Sequence, residues 1–152
     1  MEQSRTFPVA VEHAYDVVLA EPLPSIFSRR YGAIPPIKSV DGQDGAWGAA
    51  VGQTRTIRLS DGGTMQETLT VIDRPRRFGY TIGSVTGMMK PLVTAVDGEW
   101  AFEAVGTGTR ITWTWVVHPT ARLGRFAMPV FARLWSGYAR QAMEQIEQIL
   151  LR

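Results

Sequence analysis

The chain has 152 residues, 45% of them hydrophobic and 20% charged, and a formal net charge of +2. That is the make-up of one globular domain, large enough to bury a core and still keep a pocket. The absence of cysteine excludes disulfides, thiolate metal sites and cysteine nucleophiles, and the slight basic excess, mostly arginine, is too small to imply nucleic acid.

In chain order, "SRTFPVAV" (4–11) reads as a strand with Phe7, Val9 and Val11 on one face and Pro8 suited to an edge. "EHAYDVVLA" (12–20) reads as a short helix stopped by Pro22 and Pro24, with a second helical turn around 25–30. The following stretch, rich in glycine and proline, holds one strand near 36–40. "GQTRTIRLS" (52–60) and "TMQETLTVI" (64–72) flank Asp61-Gly62-Gly63, a hairpin signal. "RRFGYTIG" (76–83) is the next strand, with Phe78, Tyr80 and Ile82 on one face.

"GSVTGMMKPLVTAV" (83–96) reads either as a lid over a pocket, with adaptable Met88 and Met89, or as an ordinary loop with its methionines turned inward. "DGEWAFEA" (97–104) and "TRITWTWVVH" (109–118) alternate aromatic and polar residues and are joined by a four-residue "VGTG" loop. Together these strands form a meander with one dry and one wet face. From Leu123 onward, apolar residues recur at 126, 127, 130, 131, 134, 138, 142, 146 and 149, a helical period. Arg122, Arg125, Arg133 and Arg140 fall mostly off that stripe, and Pro129 either opens the main helix or kinks a longer one.

Glu67 is the residue that does not fit its face, which it shares with Met65, Leu69 and Val71. With a three-residue turn at 61–63, Ile57 faces Glu67, Arg55 faces Leu69, and Arg55 becomes a diagonal neighbour of Glu67. On the other side, Val71 opposite Phe78 sets Leu69 against Tyr80 and Glu67 against Ile82. The spacing thus predicts a polar set, Arg55, Glu67 and Tyr80, on an apolar wall. Arg55 and Glu67 could simply satisfy one another, or hold the polar end of a ligand. Glu67 as a general acid or base is the third option, against which the arginine charge works by lowering its pKa.

Trp100, Trp113, Trp115, Phe78 and Phe102 form an aromatic wall that reads as core or as a stacking surface for a flat ligand. Phe126, Val130, Leu134 and Tyr138 of the helix are expected to face it. His13 and His118 lie in no metal-ligand or triad spacing, no G-x-S-x-G elbow is present, and the glycine clusters are turns. Arg74, Arg76 and Arg77, with the basic side of the helix, read as a solvated face or as a contact for an anionic membrane. No apolar run approaches a membrane span, and the charged N-terminal residues are unlike a secretion signal. A soluble, cytoplasmic protein is the expectation.

The segments "VGQTRTIRLSDGGTMQETLTVIDRPRRFGYTI" (51–82) and "GTGTRITWTWVVHPT" (106–120), followed by the terminal helix, resemble the START/SRPBCC superfamily. The likeness is to its bacterial polyketide cyclase/dehydrase-like and lipid-transport-like branch. It implies an α+β helix-grip fold over the whole chain, in which a curved antiparallel β-sheet wraps a long C-terminal helix around a cavity. The function expected from it is non-covalent binding or transport of a hydrophobic small molecule (lipid, polyketide or quinone-like), with no cofactor and no metal. The ligand-binding residues would be Arg55, Ile57, Glu67, Leu69, Phe78, Tyr80, Trp100, Phe102, Trp113, Trp115, Phe126, Val130, Leu134 and Tyr138. Two alternatives stay open. One is a polyketide cyclase or dehydratase using Glu67 and Tyr80 in the same cavity; the other is a protein-interaction or co-chaperone module with a filled core. The expected partners are a hydrophobic small molecule and, transiently, a membrane surface.

Overall fold

The computed structural model describes residues 1–152. The elements are β1 (Glu2–Phe7), α1 (Val11–Ala20), α2 (Leu23–Ile26), β2 (Ile37–Asp41), β3 (Thr54–Leu59), β4 (Thr64–Asp73), β5 (Arg77–Gly83), β6 (Val93–Val105), β7 (Gly108–Pro119) and α3 (Leu123–Leu150). A short 3-10 turn, Gly87–Met89, lies between β5 and β6. The strands make one seven-stranded sheet in the order β1-β7-β6-β5-β4-β3-β2, antiparallel throughout. The long helix α3 lies against β1, β7, α1 and α2. This is the helix-grip arrangement expected from the sequence.

Local chemistry sets the element ends. β1 stops at Phe7, four residues before the predicted end. Pro8 has no N–H to donate, and the Val9 N–H turns back to the Phe7 carbonyl at 2.9 Å. α1 therefore opens at Val11 and closes before Pro22. α3 starts at Leu123, where the Thr120 hydroxyl accepts the Gly124 N–H at 2.9 Å, so Pro129 sits inside the helix and does not open it. No helix is long and apolar enough to cross a membrane.

Three registers differ from the sequence expectation. In the β3–β4 hairpin the turn is Ser60-Asp61-Gly62, with the Leu59 N–H donating to the Gly63 carbonyl and Gly62 at φ 89°. Arg55 is therefore directly opposite Glu67, and Ile57 opposite Met65. The slip is by two residues, so every side chain keeps its predicted face. Between β4 and β5, Glu67 does pair with Ile82 and Leu69 with Tyr80, but a bulge after Leu69 then sets Ile72, not Val71, against Phe78. Between β6 and β7 the link is a two-residue turn, Val105 pairing with Gly108, with Gly106 at φ 58°.

The core lies between the concave sheet face and one side of α3. From the sheet come Leu69, Ile82, Val96, Trp100, Ile111 and Trp113; from α3 come Phe131, Trp135, Tyr138, Ala142 and Ile146. This helix face is rotated from the predicted stripe. Phe126 is 88% exposed and Val130 64%, so neither faces the aromatic wall, and Leu134 is only partly buried. Both faces satisfy a three-to-four spacing, so periodicity alone does not choose between them. The rotation puts the large rings of Phe131 and Trp135 inside.

Candidate functional site

An apolar cavity of about 60 Å³ opens between the sheet and the helices. Its floor is Ile57 of β3, Glu67 of β4, Tyr80 and Ile82 of β5, Trp100 of β6, and Trp113 and Trp115 of β7. Phe27 and Tyr138, stacked with ring centroids 5.5 Å apart, close the side opposite. Ligand pockets commonly measure about 300–1,000 Å³. Most of the concave space here is filled by the protein's own aromatic side chains. Trp100 and Trp113 stack nearly parallel at 5.0 Å, and Trp135 leans on Trp113 at 4.9 Å.

The cavity has three polar features. The first is the ion pair. Arg55 is 7% exposed and Glu67 4%, and the Arg55 Nε donates to Glu67 Oε1 at 2.7 Å. Direct cross-strand pairing places them so. Burial pushes the Glu67 carboxyl above its ordinary range; the charge and hydrogen bond of Arg55 pull the other way and only partly offset it. The arginine works against the shift, as the sequence predicts, and desolvation is the larger cause.

The guanidinium of Arg55 also lies 3.8 Å from the ring centre of Trp47. Trp47 belongs to the glycine-rich loop before β3, and Gln53 organises that loop with its whole amide. Its Oε1 accepts from the Gly48 and Ala49 N–H groups, and its Nε2 donates to the Asp44 and Ala46 carbonyls, all within 2.9–3.1 Å. Trp47 therefore sits as a held cover on Arg55. On its outer side, Arg55 and Trp47 line a shallow groove with Leu23 and Pro24.

The second polar feature is the Tyr80 hydroxyl, whose oxygen accepts the indole N–H of Trp113 and that of Trp115, each at 2.8 Å. Both acceptor positions are used, and the capacity left over by these contacts is the hydroxyl proton. Donation by two N–H groups polarises that O–H and makes it a stronger donor. Burial, helped by the Glu67 charge, raises the Tyr80 pKa far above the usual phenol value, so the proton stays on. Tyr138, the third, is the converse case. Its O–H donates to the Pro35 carbonyl at 3.1 Å, which leaves its oxygen as an acceptor.

Of the residues proposed from sequence, Arg55, Ile57, Glu67, Phe78, Tyr80, Trp100, Trp113, Trp115 and Tyr138 line the cavity. Leu69 and Phe102 are buried beside it but do not reach it; Phe102 packs with Tyr15 and Phe78. Val130 and Leu134 line a separate apolar cleft with Met88, Met89 and Leu92, and Phe126 points to solvent. The 84–92 segment borders that second cleft, so it is not a lid over the main cavity. The histidines are elsewhere, His13 on α1 beside the Leu150 carbonyl and His118 paired with Asp97 on the sheet surface.

Sequence reading missed the lining contributed by the short helices and β2, notably Leu23, Phe27 and Ile37, and missed Trp47 and Trp135. Trp135 was legible, since 131, 135, 138, 142 and 146 also keep a helical period. Trp47 carried no periodic signal, because it is placed by a loop wrapped on Gln53.

The sequence model of the family described as "Polyketide cyclase / dehydrase and lipid transport" matches residues 1–150. No curated protein matches the chain. Among solved structures, the chain is similar to TTHA0849 from Thermus thermophilus, with 15% identity, a TM-score of 0.73, and coverage of 99% of this chain and 96% of that one. It is also similar to ginseng major latex-like protein 151 from Panax ginseng (13% identity, TM-score 0.72, coverage 100% and 97%). Ara h 8.0201 is a third, at 19% identity, TM-score 0.71, and coverage of 99% and 96%. At such identities these likenesses bear on the fold alone.

Proposed function

Because the chain belongs to the polyketide cyclase/dehydrase and lipid-transport family, we propose that its cavity binds a flat, neutral, apolar small molecule bearing a carbonyl or similar acceptor oxygen. The observation that carries this reading is the doubly accepted Tyr80 hydroxyl. Its proton is a polarised donor set in an apolar wall, and an acceptor oxygen is its natural partner. The ion pair argues for a neutral ligand, since Arg55 and Glu67 cancel and leave no free charge for a carboxylate or an amine. Affinity comes from apolar burial, roughly 25 cal/mol per Å² before ordering costs. Entry of a ligand larger than the 60 Å³ space moves the aromatic side chains apart, beginning with the stacked Phe27 and Tyr138.

The test pairs aromatic ketones with hydrocarbons of the same size and reads thermal stabilisation of the protein. Ketones should stabilise more than their hydrocarbon partners, and Tyr80→Phe should erase the difference. Equal stabilisation by both series would remove the hydrogen-bond component, and stabilisation by neither would return the cavity to the role of a filled core. Native mass spectrometry of detergent-free protein, followed by extraction, would give the class of any co-purifying ligand.

One observation favours a second reading. A hydroxyl that donates to a carbonyl also polarises it, as a cyclase would require. Single-turnover assays with a poly-β-keto substrate separate the two readings: a product whose formation needs Tyr80 and Glu67 marks an enzyme, and unchanged substrate marks a carrier.

A further inference from the structure

The cavity leaves one part of the molecule unused, the first three turns of α3 and the loop beside them. Leu123, Phe126, Val130 and Leu134 follow one another at three- and four-residue steps along a single face. That face is turned away from the core. Phe126 is 88% exposed, Val130 64% and Leu123 55%. Met88, 68% exposed, joins Val130, Leu134 and Leu92 around one wholly apolar cleft. Singly exposed apolar residues are ordinary, but a contiguous exposed patch of this kind marks a contact surface.

The charges around the patch say what it contacts. Every arginine of the sheet is paired with a carboxylate, as Arg5 is with Glu147, Arg58 with Asp41 and Arg77 with Glu99. Those of α3 and its cap, Arg122, Arg125, Arg133 and Arg140, have no such partner. No acidic residue occurs on α3 before Glu144, and none occurs in the 84–96 segment, which contributes Lys90 between Met89 and Pro91. Arg122 and Arg133 stand three turns apart on the flank of the apolar stripe. An exposed apolar face bordered by unpaired cations is the pattern of a helix that lies in a membrane interface, with its rings among the acyl chains and its cations at anionic head groups.

We propose that this surface, the first three turns of α3 with the 84–92 loop, docks the protein on an anionic phospholipid bilayer. The docking stands independently of what the cavity binds. Phe126, Met88 and Val130 enter the acyl boundary, and Arg122, Arg133 and Lys90 lie at the phosphates. The contact is peripheral and reversible, since one short face supplies few buried groups.

The experiment is flotation of the full chain with vesicles of pure phosphatidylcholine and with vesicles containing 30% phosphatidylglycerol. Binding is expected on the anionic vesicles, weakening with added salt, and little on the neutral ones. Phe126→Ser should weaken it roughly tenfold, and Arg133→Gln about fivefold. Both residues are exposed, and unchanged circular dichroism and unfolding midpoints will show that both variants fold. Arg110→Gln on β7, whose side chain is paired with Glu103, is the control and should leave binding unchanged. No binding to anionic vesicles would overturn the proposal, as would binding indifferent to Phe126→Ser and Arg133→Gln. A dimer in solution that Phe126→Ser dissociates, with no vesicle binding, would assign the patch to self-association and equally overturn it.

Discussion

The ring of Tyr80 lies in the space that a side chain at position 98 would fill: a Cβ on Gly98 would stand 2.1 Å from the Tyr80 Cζ. Tyr80 and Gly98 are directly paired across β5 and β6, and Gly98 pairs in turn with Trp115 of β7. The missing side chain lets the phenol lie across β6 and bring its oxygen to the indoles of β7. Gly98→Ala should displace the ring, break both indole bonds and cost about 1–3 kcal/mol by overpacking. Urea unfolding gives the cost, and a change in tryptophan emission reports the lost hydrogen bonds. An unchanged spectrum and midpoint would mean that the ring is not held there.

Tyr80→Phe keeps the packing and removes the acceptor. The indole N–H groups of Trp113 and Trp115 are then buried without a partner, at about 1–3 kcal/mol for each orphaned donor. The lowered unfolding midpoint should be partly recovered by Trp115→Phe in the same chain, because that change deletes one of the two orphans. Additive losses in the double variant would break the argument.

Arg55→Met leaves the Glu67 carboxylate buried with no counter-charge. At neutral pH the expected loss is about 3–5 kcal/mol. The loss should shrink in acid, where the carboxyl takes up a proton. Adding Glu67→Gln should recover most of it at neutral pH, and a double-mutant cycle by denaturant unfolding measures the coupling.

The pH dependence of the wild-type pair has a definite sign. Burial raises the folded-state pKa of Glu67 above its ordinary 4.5, so the native protein holds this proton at pH values where the unfolded chain has lost it. The stability difference between wild type and Glu67→Gln should therefore fall as pH rises above about 4.5 and level off past the folded-state pKa. The charged group that acts on this carboxyl is Arg55, which opposes the shift; Tyr80 keeps its proton throughout and adds no charge. Unfolding midpoints of both proteins across the acid-to-neutral range check the sign, and a rising difference would show that Arg55 outweighs burial.

Gln53→Ala should release the loop from 44 to 49 that holds Trp47 over Arg55. All four hydrogen-bonding capacities of one amide go into that loop, and their removal should cost about 1–2 kcal/mol. Amide hydrogen exchange should rise at 44–49 and stay unchanged along β6 and β7. Protection that persists in the loop would place its stability in packing against Leu19, on which Gly48 closely sits.

Strand identities and faces were legible because alternation along "TMQETLTVI" and "TRITWTWVVH" is a local property of the chain. The meeting of Arg55 and Glu67 was legible for the same reason, though as a diagonal. Whether the turn takes 60–62 or 61–63 depends on where glycine adopts positive φ, and a two-residue slip preserves every face. The bulge at Thr70 left no such mark, because an extra residue changes pairing without changing composition.

By itself, then, the sequence determined a meander of strands, a long amphipathic C-terminal helix and the polar residues on the dry face, all of them features encoded within a few residues of one another. Only the tertiary structure decided which side of α3 is buried, and so that Trp135 faces the wall while Phe126 faces outward. It also decided that Tyr80 receives two indoles from another strand, and that Trp47 covers Arg55 from a loop. The physical reason is that helical spacing fixes a set of neighbours on one element but not its rotation against a sheet. That angle is set by the fit of ring volumes between elements far apart in the chain.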